Sequence, residues 1–362
     1  MKLQPSQLNL ILVTLLSGSF VSGCLADSWT PYSAINSFSY GGPLPLKQVF
    51  NDLKGNTAPN RDDSAISTTH LELGGDYNGW RLGVFYRHDY YTRFHPDTLE
   101  LLYLDKNNLP VESNRHYALQ FEMHHLRAQG VRLSTPLVEM GPVTFRPGLI
   151  LFHAKALMDG SIQGDITTND SQYNGEAFVN YAYDEDVLLD RSADAPDGWG
   201  FGFNLDIAWQ INAQWQLHAT LEDLAGQVNW DRAPYTRAQI TSSTVHFDEH
   251  GFIQTTPVLS GIESYTSHRQ SLPLRSRLRL NYALSSNYDL FGGADRYGND
   301  TFAIAGVTTK TRSGDYSIAW QTNSNALQLS WQNRYLKLAL TADSLSTQKL
   351  RTFGFSLALH AP

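Results

Sequence analysis

Arg275, Arg277 and Arg279 alternate with Ser276 and Leu278. In an extended chain a period of two sets all three guanidinium groups on one face. Such a row facing a water-filled passage steers an anionic solute; facing carboxylates, it becomes an ion-paired brace. Asp206 and Glu222, with Glu72, Asp76 and Glu122, hold alternate positions in other extended stretches and are the carboxylates the row could meet. Turned toward lipid, each charge would cost about 2–4 kcal/mol at mid-membrane, so the row belongs on an inner face. Arg275, Arg277, Arg279, Asp206 and Glu222 are therefore the candidate electrostatic strip, with steering and bracing both open.

Two other clusters carry weaker chemistry. Asp184, Glu185 and Asp186, with Asp190, Asp194 and Asp197 nearby, offer hard oxygen ligands, but their spacing matches no EF-hand and reads as a solvated loop. The histidines His124, His125, His153, His218, His246, His250 and His268 raise the question of a membrane hydrolase. Ser267-His268 and His246 with Asp248 supply the residue types. No spacing ties them together, and the chain has no P-loop, nucleophile elbow or H-E-x-x-H motif. The sequence thus nominates no catalytic residue, no metal and no cofactor. A net charge of -8 leaves no basic footprint for nucleic acid.

The elements that would position these side chains begin after a leader. Lys2, the mostly apolar run Leu10 to Leu16 and the small residues Ser17, Gly18, Ser19, Ser22 and Gly23 have the layout of a secretory signal peptide over residues 1–26. Val21-Ser22-Gly23-Cys24 also reads as a lipobox, with Cys24, the single cysteine, as the acylated residue; cleavage after Ala26 is the competing reading. Beyond the leader no apolar run approaches the ~20 residues of a spanning helix. Only 17% of residues are charged, against roughly 25% in soluble domains. Any span must then be made of strands.

Alternation supports that. Phe201, Phe203, Leu205, Ile207 and Trp209 share one face, with Gly202, Asn204, Asp206, Ala208 and Gln210 on the other. The turn Ile211 to Gln214 follows, and Trp215, Leu217, Ala219 and Leu221 alternate again. Leu71 and Leu73 lead through Asn78-Gly79, a tight-hairpin dipeptide, to Trp80, Leu82 and Val84. Such blocks, each about ten residues long, recur to Leu359, and tryptophans gather at block ends as girdles require. The fold expected is all-β: an antiparallel transmembrane β-barrel over residues 66–362, with about 14 strands and 12–16 as bounds. Residues 27–65 read as a leader or plug, with Leu46, Val49, Phe50 and Leu53 spaced for one short helix in the lumen or at the periplasmic mouth. Stretches near 159–198, 226–270 and 285–301 read as extracellular loops.

Gly198 to Trp209, Ala213 to Leu217 and the phrase Leu221-Glu222-Asp223-Leu224-Ala225-Gly226-Gln227-Val228-Asn229-Trp230 resemble a hairpin of barrels related to the long-chain fatty-acid transporters, including uncharacterised and conjugal-transfer-associated members. The resemblance implies about 14 strands with an N-terminal segment inside or beneath the barrel. The charged inner faces depart from an apolar fatty-acid pocket, and the chain ends in Leu359-His360-Ala361-Pro362 without the terminal aromatic of most such barrels. The expected address is the bacterial outer membrane, the expected partners its lipid, lipopolysaccharide and the barrel-assembly machinery. The leading role is transport or binding of a small hydrophobic or amphipathic solute. A sealed barrel serving as a surface or assembly partner is the alternative, and a membrane hydrolase is third.

Overall fold

The computed structural model describes residues 29–169, 172–186, 191–242, 245–247, 253–255 and 258–360. The expected signal peptide, with Cys24, lies outside the described residues. Fourteen antiparallel wall positions close on themselves. They are β1 (Trp29–Gly41), β2 (Ser64–Tyr77), β3 (Trp80–Phe94), β4 (His116–Ser134), β5 (Val143–Asn169), β6 (Gln172–Tyr183 continued by Asp197–Gln210), β7 (Trp215–Thr241), β8 (Leu259–Ser271 continued by Arg275–Ala283), β9 (Tyr288–Tyr297), β10 (Asp300–Thr311), β11 (Gly314–Gln321), β12 (Ala326–Gln332), β13 (Leu336–Ala342) and β14 (Thr352–His360). The ring closes where β1 pairs with β14, from Tyr32 opposite His360 to Tyr40 opposite Thr352. Two short helices, α1 (Leu46–Val49) and α2 (Pro96–Lys106), lie between β1 and β2 and between β3 and β4.

The alternation sorts as the sequence demands. Leu73, Leu82, Val84, Val131, Leu151, Phe203, Leu278, Ile318, Leu329 and Leu340 are all exposed on the outer wall, an apolar belt that only a bilayer would cover. Trp29, Trp80, Trp209 and Trp215 edge the belt at the end that carries the strand termini and short turns, and Trp199 and Trp320 edge it at the other. Asn78 and Gly79 connect β2 to β3 with φ of 49° and 81°, the left-handed pair that a two-residue hairpin requires.

Three expectations need correction. Residues 29–41 are not leader or plug but the first wall strand, hydrogen-bonded on both edges. Only α1 keeps the expected helical turn, at the mouth opposite the termini, where Leu46 N–H donates to Leu350 O at 2.8 Å. Most of 159–198, 226–270 and 285–301 is strand, not loop. The reason is height: β5 and β7 have 27 residues each, where a membrane strand needs about 9–11. The upper parts stand above the belt and have no lipid-facing side to keep apolar. With β11–β13 only 8, 7 and 7 residues long, one side of the barrel rises into a hood and the other does not.

The hood is strapped from outside. Ala193, in the connection between the two halves of β6, packs on a buried cluster of Met158, Val179, Tyr181 and Tyr183. Tyr181 Oη donates to Asp186 at 2.7 Å, and Arg191 sits 5.3 Å from the Tyr265 ring.

Candidate functional site

The lumen is filled at mid-height. Phe85, Leu126, Phe152, Leu157, Val228 and Trp230 form one buried cluster on the tall side. Phe38, Tyr40, Ile66, Tyr91 and Phe302 form another across from it. Gly198 and Gly200 let the first cluster press on the wall: a Cβ at Gly198 would lie 2.5 Å from the Trp230 ring, and one at Gly200 2.3 Å from the Phe152 ring. That close approach explains the glycine-aromatic alternation of this strand.

Between the clusters runs a charged seam, built on an irregularity in β7. Leu221 faces Leu205 and Leu224 faces Phe203, so β7 carries one residue more than β6 over this step. Asp223 and Ala225 take up the slack with φ of 63° and 49°, and the Asn204 side chain accepts the Asp223 N–H at 3.2 Å. The bulge turns Glu222 and Asp223, neighbours in sequence, into the lumen together. Asp223 receives a fork from Arg87 at 2.7 and 2.9 Å and Arg275 Nε at 3.3 Å. Arg87 Nε donates to Asp89 at 2.7 Å, and His70 Nε2 lies 3.1 Å from Asp89 and 2.6 Å from Arg275. Arg275 also meets Glu222 at 3.1 Å; Glu222 meets Arg132 at 3.4 Å, and Arg132 meets Glu72 at 3.3 Å. The Arg87 side chain is 1% exposed and that of Asp223 0%, so both ends of the fork are out of contact with water. A buried fork of this kind holds its geometry firmly, because losing one partner strands the other charge.

Of the five strip residues, Arg275 and Glu222 sit in this seam. Arg277 and Arg279 share Asp295 at 3.3 and 2.7 Å, and Asp206 stands apart, opposite Arg146 across the β5–β6 pairing. Sequence reasoning missed Arg87, Asp89, His70, Arg132 and Asp223. Toward the termini the seam floors a cavity of about 300 Å3 whose lining includes Phe38, Tyr297, Arg132, Arg277, Tyr32 and His360. Its wall is amphipathic. The Arg277 side chain is 51% exposed.

The other candidates separate. Asp159 bonds His124 Nδ1 at 2.5 Å and His268 Nε2 at 2.6 Å, while among the described residues no serine hydroxyl bonds to either histidine. The His246 side chain and Asp248 lie outside the described residues. The acidic segment is not simply solvated, since Asp186 is buried against Tyr181. Among the described residues no group of three or more His, Cys, Asp or Glu side chains is placed to hold a metal ion.

A model of the family of unknown function DUF5723 matches residues 150–361. No curated protein matches the chain. Among solved structures the chain is similar to a deletion mutant of the TodX monoaromatic hydrocarbon channel (11% identity, 93% of this chain and 90% of that one, TM-score 0.44). It is also similar to the Pseudomonas putida toluene transporter TodX (9%, 93% and 89%, TM-score 0.38) and a Pseudomonas aeruginosa FadL homologue (10%, 93% and 90%, TM-score 0.22). Identities this low do not carry a role from one chain to another.

Proposed function

The chain belongs to the DUF5723 family, whose function is unknown, and from its geometry we propose an outer-membrane barrel that binds a small amphipathic anion in its lumen without conducting ions. The cavity carries the reading: about 300 Å3, aromatic along Phe38 and Tyr297, with the half-exposed Arg277 guanidinium turned into it and a sealed floor behind. An anionic head beside Arg277 and an apolar body against the rings would satisfy both parts of that wall. In this reading the leader exports the chain, the barrel-assembly machinery inserts it, and outer-membrane lipid and lipopolysaccharide surround it. The seal also favours the second reading, a closed barrel that serves as a surface partner and holds no solute.

Octanoate and octylamine, added to the protein in neutral detergent, serve as probes in thermal unfolding, alongside planar-bilayer recording. Octanoate is expected to raise Tm, octylamine to leave it unchanged, Arg277→Gln to abolish the octanoate effect, and the bilayer to show no steady current. An open-channel current in the wild type overturns the sealed lumen; equal response to both probes, or to neither, overturns the anion site and leaves the surface-partner reading.

A further inference from the structure

A second amphipathic surface lies outside the wall. Leu71, Leu73, Val84, Val131, Leu151 and Trp199 line a groove of about 800 Å3 on the lipid-facing side of β2–β6. Just above it the pairing of β4 with β5 slips: Ala128 faces Ala154, but Arg127 faces Ala156, leaving Lys155 as the extra residue. Both residues of a bulged pair project to the same side as the single residue opposite. Ala154 and Leu157, which point inward, are fully buried, whereas Lys155 and Arg127 are exposed, so both cations face out.

Their height is that of a membrane interface. Arg127 is in register with His88, eight positions above Trp80 on β3, or roughly 27 Å along the strand at about 3.4 Å per residue, which a tilt of about 40° turns into roughly 21 Å of height, near the upper edge of the band. The apolar band of a barrel is ~25 Å tall. Neither cation has an ion-pair partner among the described residues. The polar groups around them include the paired rings His88 and His125, with Nε2 atoms 3.0 Å apart, the Tyr86 and Tyr90 hydroxyls, Asp184 at the start of the strap, and His153, whose bond goes to Asp197.

We propose that this face holds one phosphate-bearing lipid of the leaflet at the loop end, its phosphate on Arg127 and Lys155 and an acyl chain in the groove beneath. Charge complementarity selects the head, because two adjacent unpaired cations at the interface suit a dianion. Position selects the source, because the groove opens only to the bilayer. The bulge is the device that sets the second cation opposite the first.

The test is native mass spectrometry of the barrel in neutral detergent with phosphatidic acid, diacylglycerol or inorganic phosphate added. The wild type is expected to retain one phosphatidic acid and no diacylglycerol. The R127Q/K155Q pair is expected to retain at least tenfold less, R127K/K155R to retain it, and Leu151→Trp, which fills the groove, to lose it. Heat-modifiable gel mobility confirms that each variant is folded. Equal retention by R127Q/K155Q, or retention of diacylglycerol, overturns the head-group site. Competition by inorganic phosphate at the same concentration as the lipid overturns the role of the groove.

Discussion

At Asp223 the backbone adopts a conformation that costs most L-residues about 1 kcal/mol or more, and the side chain so placed accepts the Arg87 fork inside the lumen. Removing the carboxylate leaves Arg87 buried with Asp89 alone. Asp223→Ala should therefore destabilise the barrel by about 3–5 kcal/mol in urea unfolding from lipid vesicles, and should admit current in a planar bilayer. Asp223→Asn, which tolerates the left-handed backbone and keeps an acceptor, should lose less. Stability of the alanine variant within 1 kcal/mol of wild type would mean the seam does not hold the lumen shut. The sequence half-announced this residue. Period-two reading puts Asp223 on the lipid side with Leu217 and Leu221, an expensive place for a charge, and that conflict marks a bulge. Arg275 was legible because β8 keeps strict alternation there. Arg87 and Asp89 also alternate, but their meaning depends on Asp223, which lies 136 positions from Arg87 in sequence.

Among the elements, the hairpins around Asn78-Gly79 and Ile211 to Gln214 were legible because turn chemistry and apolar alternation agree. The upper halves of β5–β8 were not, since strands above the bilayer lose the lipid-facing signal and read as polar loop. The strap that covers them has its own pH dependence. Burial pushes the Asp184 carboxyl above its ordinary range, with Arg127 opposing and Glu185 adding to the shift. A raised carboxyl pKa means the docked strap binds its proton more tightly than the undocked one. Docking is strongest below the ordinary carboxylate range and weakens as pH rises through the raised value. Hydrogen exchange across 184–196 should accordingly slow as pH falls through that window, after correction for intrinsic rates. Asp184→Asn should flatten the dependence; an unchanged pH profile in that variant would assign it to another group.

For the whole molecule, closure and asymmetry are the governing facts. The expected number of about 14 strands holds, but the place where the ring shuts was not readable, because β1 sets Ser33, Ser37 and Ser39 among Trp29, Pro31 and Ile35 on its outer side and so breaks the lipid-facing signal. Its membership in the wall comes from ladders on both edges, which no local pattern discloses. Height is likewise a property of the assembled sheet. The tall half supplies Phe85, Phe152 and Trp230 to the filling, and the short half supplies Asp295 and Tyr297 along the cavity, so neither half alone makes both.

The seam between β1 and β14 also means that Tyr32 and His360 lie side by side near one rim, the rim that carries the Asn78-Gly79 turn. Topologically the wall is a loop of cord whose knot could be tied anywhere along that rim. A circular permutant that joins the two ends through a short glycine-serine linker and begins at Gly79 should refold in detergent to the same heat-modifiable species. It would do so with the former terminal strands as an ordinary hairpin and β2 and β3 as the last to meet. Failure of that permutant, with the linker long enough, would show that the order of synthesis and not the ring itself directs which edges find each other.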